Sequence, residues 1–249
     1  MLTALIERNL QKVAAWEADR SDRPFFCFCC RTEVTLRRGG ARAAHFAHKP
    51  PVTCQYGTGE SDAHRQCKIE LYENLSRHPR VTKCEMERDL KTVRPDLSAY
   101  ISGVPVAIEV QLSSLSLEKI AYRTAEYARK GIYVLWLPIH NSSLTRKSYG
   151  PRPWERWLHA LYFGRVYYWL KGLSILPIHF RERRVDVRGR MKDYQKISRR
   201  LRVPIDGRPV VLTDDFQPIK REAWTSVAYS LPPSLLLIDN QLQWWRSNL

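Results

Sequence analysis

Asp96, Glu109 and Gln111 are the residues whose types and spacing most directly suggest chemistry. Asp96 ends the string Arg94-Pro95-Asp96, and Glu109 and Gln111 stand two apart on a strand-like run, so their side chains share one face. Val106, Ile108, Val110 and Leu112 fill the other face. An unpaired Glu109 charge in so apolar a strand is expensive, and a bound cation would resolve the cost. Two carboxylates, the Val110 carbonyl and waters suit Mg²⁺ or Mn²⁺, which activates water and offsets charge on a scissile phosphate. The implied reaction is phosphodiester hydrolysis, with Gln111 positioning the water. The competing reading makes Asp96 a turn residue and Glu109 the partner of Arg94 or Arg123 in a structural ion pair.

Two further groups carry chemistry. Glu60, His64 and Lys68 follow one another at helical spacing as a polar stripe. It is either a solvated face or a wall of the same cleft, with Lys68 or His64 supporting the phosphate. Cys27-x-x-Cys30 supplies one pair of Zn²⁺ ligands on a tight turn, and His45, His48 and Cys54 offer a second pair. Four of these five complete a tetrahedral structural site, with Cys29 a bystander; the alternative is a set of reduced cysteines in a small core.

The elements that must position these groups are legible in part. Residues 1–24 fit either a short amphipathic helix or a hairpin. Residues 25–58, broken by Gly-Gly and Pro-Pro, read as a loop-rich module. A helix capped by Ser61 or Asp62 runs to about Arg77, with Ala63, Cys67, Leu71 and Leu75 on its buried face. Three strand-like runs follow, VTKCEMERDL, RPDLSAYI and VPVAIEVQL, the last two joined at Ser102-Gly103 as a hairpin. A second helix starts at Ser116 and stops at Gly131, and IYVLWLP reads as a buried strand reached by a crossover. The order is α-β-β-β-α-β. Three regions result: a module over 1–58, a core over 59–142, and a basic, aromatic, mostly helical region over 143–249.

The 249 residues carry 41 Lys and Arg against 25 acids, a net charge of +16, with 44% hydrophobic residues. A chain of that composition buries a core and favours a polyanionic partner, with DNA foremost. Arg181 to Arg202 is the richest basic stretch; Arg183, Arg184, Arg188, Arg190, Arg199 and Arg200, with Arg123, are the expected DNA contacts. No apolar run is long enough to span a bilayer and no secretory leader is legible, so the expectation is a cytoplasmic protein without a membrane partner. Cysteines in a reducing compartment then favour metal over disulfides.

The strings FFCFCC, HFAH and Cys54, Glu60-Ser61 with His64 and Lys68, RPDLSAY, AIEVQLSS, the Arg123 and Tyr127 helix pair and GIYVLWLP together resemble the competence protein CoiA-like family over about residues 1–140. The resemblance implies a zinc-ribbon-like module ahead of a PD-(D/E)XK, restriction-endonuclease-like α/β core, with Asp96, Glu109 and Gln111 in the catalytic positions. It further implies a nuclease in uptake or recombination of foreign DNA, single-stranded or branched, alongside recombination proteins. Where the superfamily usually has lysine this chain has Gln111, which can orient water but supplies neither cation nor proton. Lys68 or a metal must then provide the positive charge. Two alternatives keep the fold: a non-catalytic DNA-binding recombination accessory protein, and a defence endonuclease.

Overall fold

The structure, a computed structural model, describes residues 1–40, 42–54, 60–111, 116–188 and 194–246, with the side chain of Gln111 outside that set. Residues 1–24 resolve as a hairpin. Strand β1 (Thr3–Ile6) pairs antiparallel with β2 (Lys12–Ala14), and β3 (Phe25–Phe26), β4 (Glu33–Gly39) and β5 (Arg42–His48) complete a sheet of order β2-β1-β3-β4-β5. The expected loop-rich module therefore contains a hairpin of two seven-residue strands, β4–β5. Val34 and Leu36 alternate on one strand opposite His48 and Phe46 on the other, a period-two signal too short to dominate its Gly and Pro neighbours. Ala4, Ile6, Phe25, Cys27, Val34, Phe46 and Cys54 form a small core of their own.

The next elements follow the sequence closely. Helix α1 (Asp62–Ser76) is capped by the Ser61 hydroxyl, which accepts from the His64 amide, and buries Arg65, Cys67, Lys68, Leu71 and Leu75, while Ala63 is exposed. Strands β6 (Val81–Met86), β7 (Leu97–Ile101) and β8 (Val104–Gln111) form an antiparallel meander. Ser102 and Gly103 turn the β7–β8 corner, both at positive φ as a primed hairpin turn requires. Helix α2 (Leu117–Arg129), capped by Ser116, leads to β9 (Tyr133–Pro138), which lies parallel to β8 with Gln111 beside Pro138. Trp136, Leu135, Ile108, Tyr127, Leu71 and Leu75 share one large core, and Leu2, just before β1, joins it.

The C-terminal region is mostly strands, contrary to the helical expectation. Only α3 (Pro153–Leu161) is a helix there of more than one turn among the described residues; after it come β10 (Val166–Lys171), β11 (Ser174–Val187), β12 (Tyr194–Asp206), β13 (Val210–Val211), β14 (Phe216–Arg221), the pair β15 (Trp224–Thr225) and β16 (Ser230–Leu231), and β17 (Ser234–Asp239). The run VYYWLK is a short, continuous apolar strand rather than a helix turn, and the basic stretch interleaves Val185, Val187, Ile197, Val203 and Ile205, β-branched residues that favour extended chain. Strand β17 lies parallel to β9 and antiparallel to β14, giving a six-stranded sheet β14-β17-β9-β8-β7-β6. No helix among the described residues is long and apolar enough to cross a membrane.

Candidate active site

The sheet edge where β7 begins and β8 ends gathers most of the polar residues singled out above. Asp96 immediately precedes β7 and accepts the Val110 amide at 2.9 Å through Oδ2, which fixes its carboxylate against the neighbouring strand. Helix α1 brings His64 and Lys68 to the same carboxylate. His64 Nε2 lies 3.3 Å from Oδ2, and Lys68 Nζ lies 3.1 Å from Oδ1. The stripe of Glu60, His64 and Lys68 thus faces Asp96 rather than water. Glu60, at the entrance to α1, accepts from Lys68 Nζ at 2.7 Å.

A residue that spacing could not have found completes the cluster. Glu87, just past β6 and at a φ of 50°, is buried and accepts from Lys68 Nζ at 2.8 Å. Its carboxylate also takes the Leu2 and Thr3 amides and the Thr3 hydroxyl, so β1 helps to hold it. Burial alone would strip the Lys68 proton, but the carboxylates of Glu87, Asp96 and Glu60 outweigh it and hold the ammonium well above the ordinary lysine range. In return Lys68 and His64 overcome burial at Asp96 and keep it far below the usual carboxylate value. The result is a charged network of one lysine among three carboxylates, with Lys68 and Glu87 sealed and Glu60 and Asp96 partly open to solvent.

Glu109 occupies a different pocket of charge. It is nearly inaccessible, and its Oε1 accepts from Arg123 Nη2 and from the Tyr127 hydroxyl, both on α2. Burial, with the Asp96 charge adding to it, pushes Glu109 up to about 7 even though Arg123 and Tyr127 favour the anion. Arg123 also donates to the Arg94 carbonyl at 2.7 Å, tying α2 to the segment that carries Asp96. The pairing of Glu109 with Arg123 is the ion pair considered above as the competing reading. The Gln111 backbone lies on β8 beside Pro138; its side chain is outside the described residues.

The ligand atoms of Glu60, His64 and Asp96 all lie within 4.8 Å of one another, a mixed oxygen and imidazole set. Oxygen donors of this kind suit a hard divalent cation, and imidazole suits manganese or another transition ion.

The cysteine module forms a second, separate donor group. Cys27 and Cys30 lie on the β3–β4 turn, His48 ends β5 and Cys54 follows Pro51; their four ligand atoms also lie within 4.8 Å of one another. Cys27 Sγ and Cys54 Sγ stand 3.9 Å apart, close to the roughly 3.8 Å that two thiolates on one tetrahedral zinc would span. Cys30 Sγ is 3.3 Å from His48 Nε2. Burial raises the Cys30 thiol, but hydrogen bonds from Thr32 and His48 outweigh it and bring it down to about 6, while burial lifts Cys27 to about 11. His45 stands apart: three residues from His48 on a strand, it points to the opposite face and bonds the Ala43 carbonyl at 2.9 Å. Cys29 is exposed.

Of the expected DNA contacts outside this edge, Arg184, Arg188, Arg199 and Arg200 are exposed and Arg183 is half-buried, all on or beside β11 and β12; Arg190 lies outside the described residues.

Two stretches of the chain are similar to known proteins. Residues 60–155 match the model of the competence protein CoiA nuclease-like domain, and residues 8–57 match that of the CoiA N-terminal domain. Competence protein CoiA of Bacillus subtilis (strain 168) is 31% identical over 118 residues, which is 46% of this chain and 31% of that protein. The chain thus spans about a third of the curated relative it matches. No solved structure matches the chain.

Proposed function

Because the chain belongs to the competence protein CoiA family and carries its nuclease-like domain, we propose that it is a metal-dependent DNA nuclease whose centre is the edge at Asp96. The observation that carries the reading is the convergence of Glu60, His64 and Asp96 within 4.8 Å, beside a lysine whose charge is locked on. These residues would hold a magnesium or manganese ion, with Glu109 and the Val110 carbonyl at its margin; such an ion polarises a phosphate and generates hydroxide near neutral pH.

The remaining work falls to the chain's own side chains. Lys68, buried against Glu60, Glu87 and Asp96, sets a positive charge behind the edge at which a scissile phosphate would sit, supplying what Gln111 cannot. Arg123 and Tyr127 brace Glu109. Gln111 orients the attacking water. The cysteine module would hold one structural zinc through Cys27, Cys30, His48 and Cys54 and so set the platform from which β1 reaches Glu87.

DNA that is single-stranded or branched, arriving by uptake or recombination in the cytoplasm, is the proposed substrate. The test is cleavage of labelled single-stranded, duplex and branched DNA with Mg²⁺, with Mn²⁺ or with neither, using the parent and Asp96→Asn. Cutting that requires both the metal and Asp96 supports the nuclease. Salt-sensitive binding without cutting under any metal overturns it in favour of a recombination accessory protein, a reading to which the clasp of Arg123 and Tyr127 on Glu109 lends weight.

A further inference from the structure

The basic stretch is a ribbon. Strands β11 and β12 pair from Ile178 opposite Asp206 out to Val187 opposite Tyr194, and beyond Phe180, over 181–188 and 194–202, none of the residues is buried and most are exposed. An element with solvent on both faces contributes little to a core, so its sequence is free to serve a partner. Over 181–188 and 194–202 it carries eight Lys and Arg against Glu182 and Asp186. None of the eight forms an ion pair among the described residues, so their field is uncompensated.

The ribbon has a built irregularity. Between the pairs Glu182–Arg202 and Arg184–Ile197, β11 has only Arg183 whereas β12 has Ser198, Arg199, Arg200 and Leu201. The Ser198 hydroxyl accepts the Arg200 amide at 3.3 Å and the Leu201 amide at 2.9 Å, and Arg202 Nη1 bonds the Ser198 carbonyl at 2.7 Å. This wide bulge is therefore held in shape, and it pushes Arg199 and Arg200 outward from the ladder. The base of the ribbon is anchored to the loop after β9: Tyr149 and Arg202 exchange backbone hydrogen bonds at 2.9 and 2.8 Å, the Tyr149 ring stacks on Phe180, and Arg183 bonds the Lys147 carbonyl at 3.1 Å. That loop begins at the sheet edge where Gln111 meets Pro138.

We propose that the β11–β12 ribbon is a duplex-binding arm that grips the phosphates flanking a groove of double-stranded DNA through Arg184, Lys196 and the bulged Arg199 and Arg200. A two-stranded antiparallel ribbon matches the width of the major groove, about 12 Å. Single strands are instead held by successive aromatic platforms, and the described exposed part of the arm offers one aromatic ring, Tyr194, which is half exposed. Dense unpaired charge with sparse aromatics marks a phosphate grip. The inference concerns binding and stands whether or not the Asp96 edge cuts; combined with that edge, it selects substrates in which a duplex adjoins the strand being processed.

The test measures binding in magnesium-free buffer, so that cleavage plays no part. The probes are a 20-base-pair duplex and the matching single strand, titrated at several salt concentrations against the parent and an R184A/K196A/R199A/R200A variant. A second variant, with residues 185–196 replaced by Asn-Gly, removes the tip while leaving the bulge and the base. Thermal melts of all three proteins check folding. The expected result is a parent that prefers the duplex, a tenfold or greater loss of duplex affinity in the quadruple variant, and a salt slope shallower by about 3 to 4. Single-strand affinity should change less than threefold. A parent that binds the single strand as well as or better than the duplex overturns the proposal, as does equal loss for both probes or no loss in a folded variant.

Discussion

Lys68 and Glu87 form an ion pair of 2.8 Å in which both side chains are almost sealed from solvent, at 2% and 3% exposure. The pair joins helix α1 to a carboxylate that is otherwise held by the Leu2 and Thr3 amides, so the Lys68 ammonium is one of the ties between the N-terminal sheet and the nuclease-like core, beside the Met1 amino group on Glu60 and Lys12 on Glu85.

Removing that ammonium should be costly. Lys68→Met removes the ammonium that Glu60, Glu87 and Asp96 share, leaving Glu60 the Met1 amino group at 2.9 Å and Asp96 the His64 imidazole at 3.3 Å, and breaking a buried charge network in this way typically costs about 3–5 kcal/mol. Urea denaturation at pH 7 measures the loss, with Lys68→Arg expected to fall between the parent and Met. A loss below about 1 kcal/mol for Met would show that the carboxylates escape to solvent, and that the buried network is not what unites the two sheets.

Metal content separates the two histidines of the HFAH string. Protein purified without added zinc should carry about one zinc per chain, consistent with a four-ligand structural site. Cys30→Ser and His48→Ala should lose most of it and melt at lower temperature, whereas His45→Ala should keep it. Equal zinc in the parent and Cys30→Ser would return the cysteines to a small reduced core.

His159 gives the fold a defined acid sensitivity. Burial, then the His179 and Arg202 charges, lower it from the ordinary value of 6.5 to about 3, and burial lowers His179 as well. Between those values the unfolded chain binds a proton that the folded chain refuses, so stability is constant above about pH 6.5 and falls as the pH drops below it. Melts at pH 7.5 and 5.0 should show the parent losing on the order of 1 kcal/mol, allowing for partial exposure of the ring. His159→Gln keeps an acceptor for the Phe180 amide, 3.1 Å from His159 Nε2, and should flatten the dependence. An unchanged slope in that variant would place the acid sensitivity elsewhere.

What the sequence disclosed, and what it hid, divides along the range of the interactions. Helices α1 and α2 were legible because their caps, Ser61 and Ser116, and their stop at Gly131 are local signals, and the β7–β8 turn was legible because Ser102-Gly103 is itself the turn. The stripe of Glu60, His64 and Lys68 was visible, but which way it faced was not, since that depends on a strand some thirty residues away. Glu87 belongs to no motif; its partners are at Leu2, Thr3 and Lys68, and only the folded chain assembles them. The C-terminal error has the same origin. A dense run of arginine reads as a solvated helix face until pairing with a distant segment decides otherwise, and β11 and β12 find that pairing in each other.

The placement of β17 has a consequence for how the chain acquires its shape. Leu236 pairs with Val134, about a hundred residues earlier, and β17 covers the edge of β9 that β8 does not. Parallel pairing at such separation closes a large loop before any contact rewards it, which makes it intrinsically late. During synthesis the candidate catalytic edge at Asp96 and Gln111 would be made well before its sheet is complete, leaving β9 as an open, apolar border. A chain halted before residue 234 should therefore present a sticky strand, and the most exposed moment in its life would fall on the ribosome.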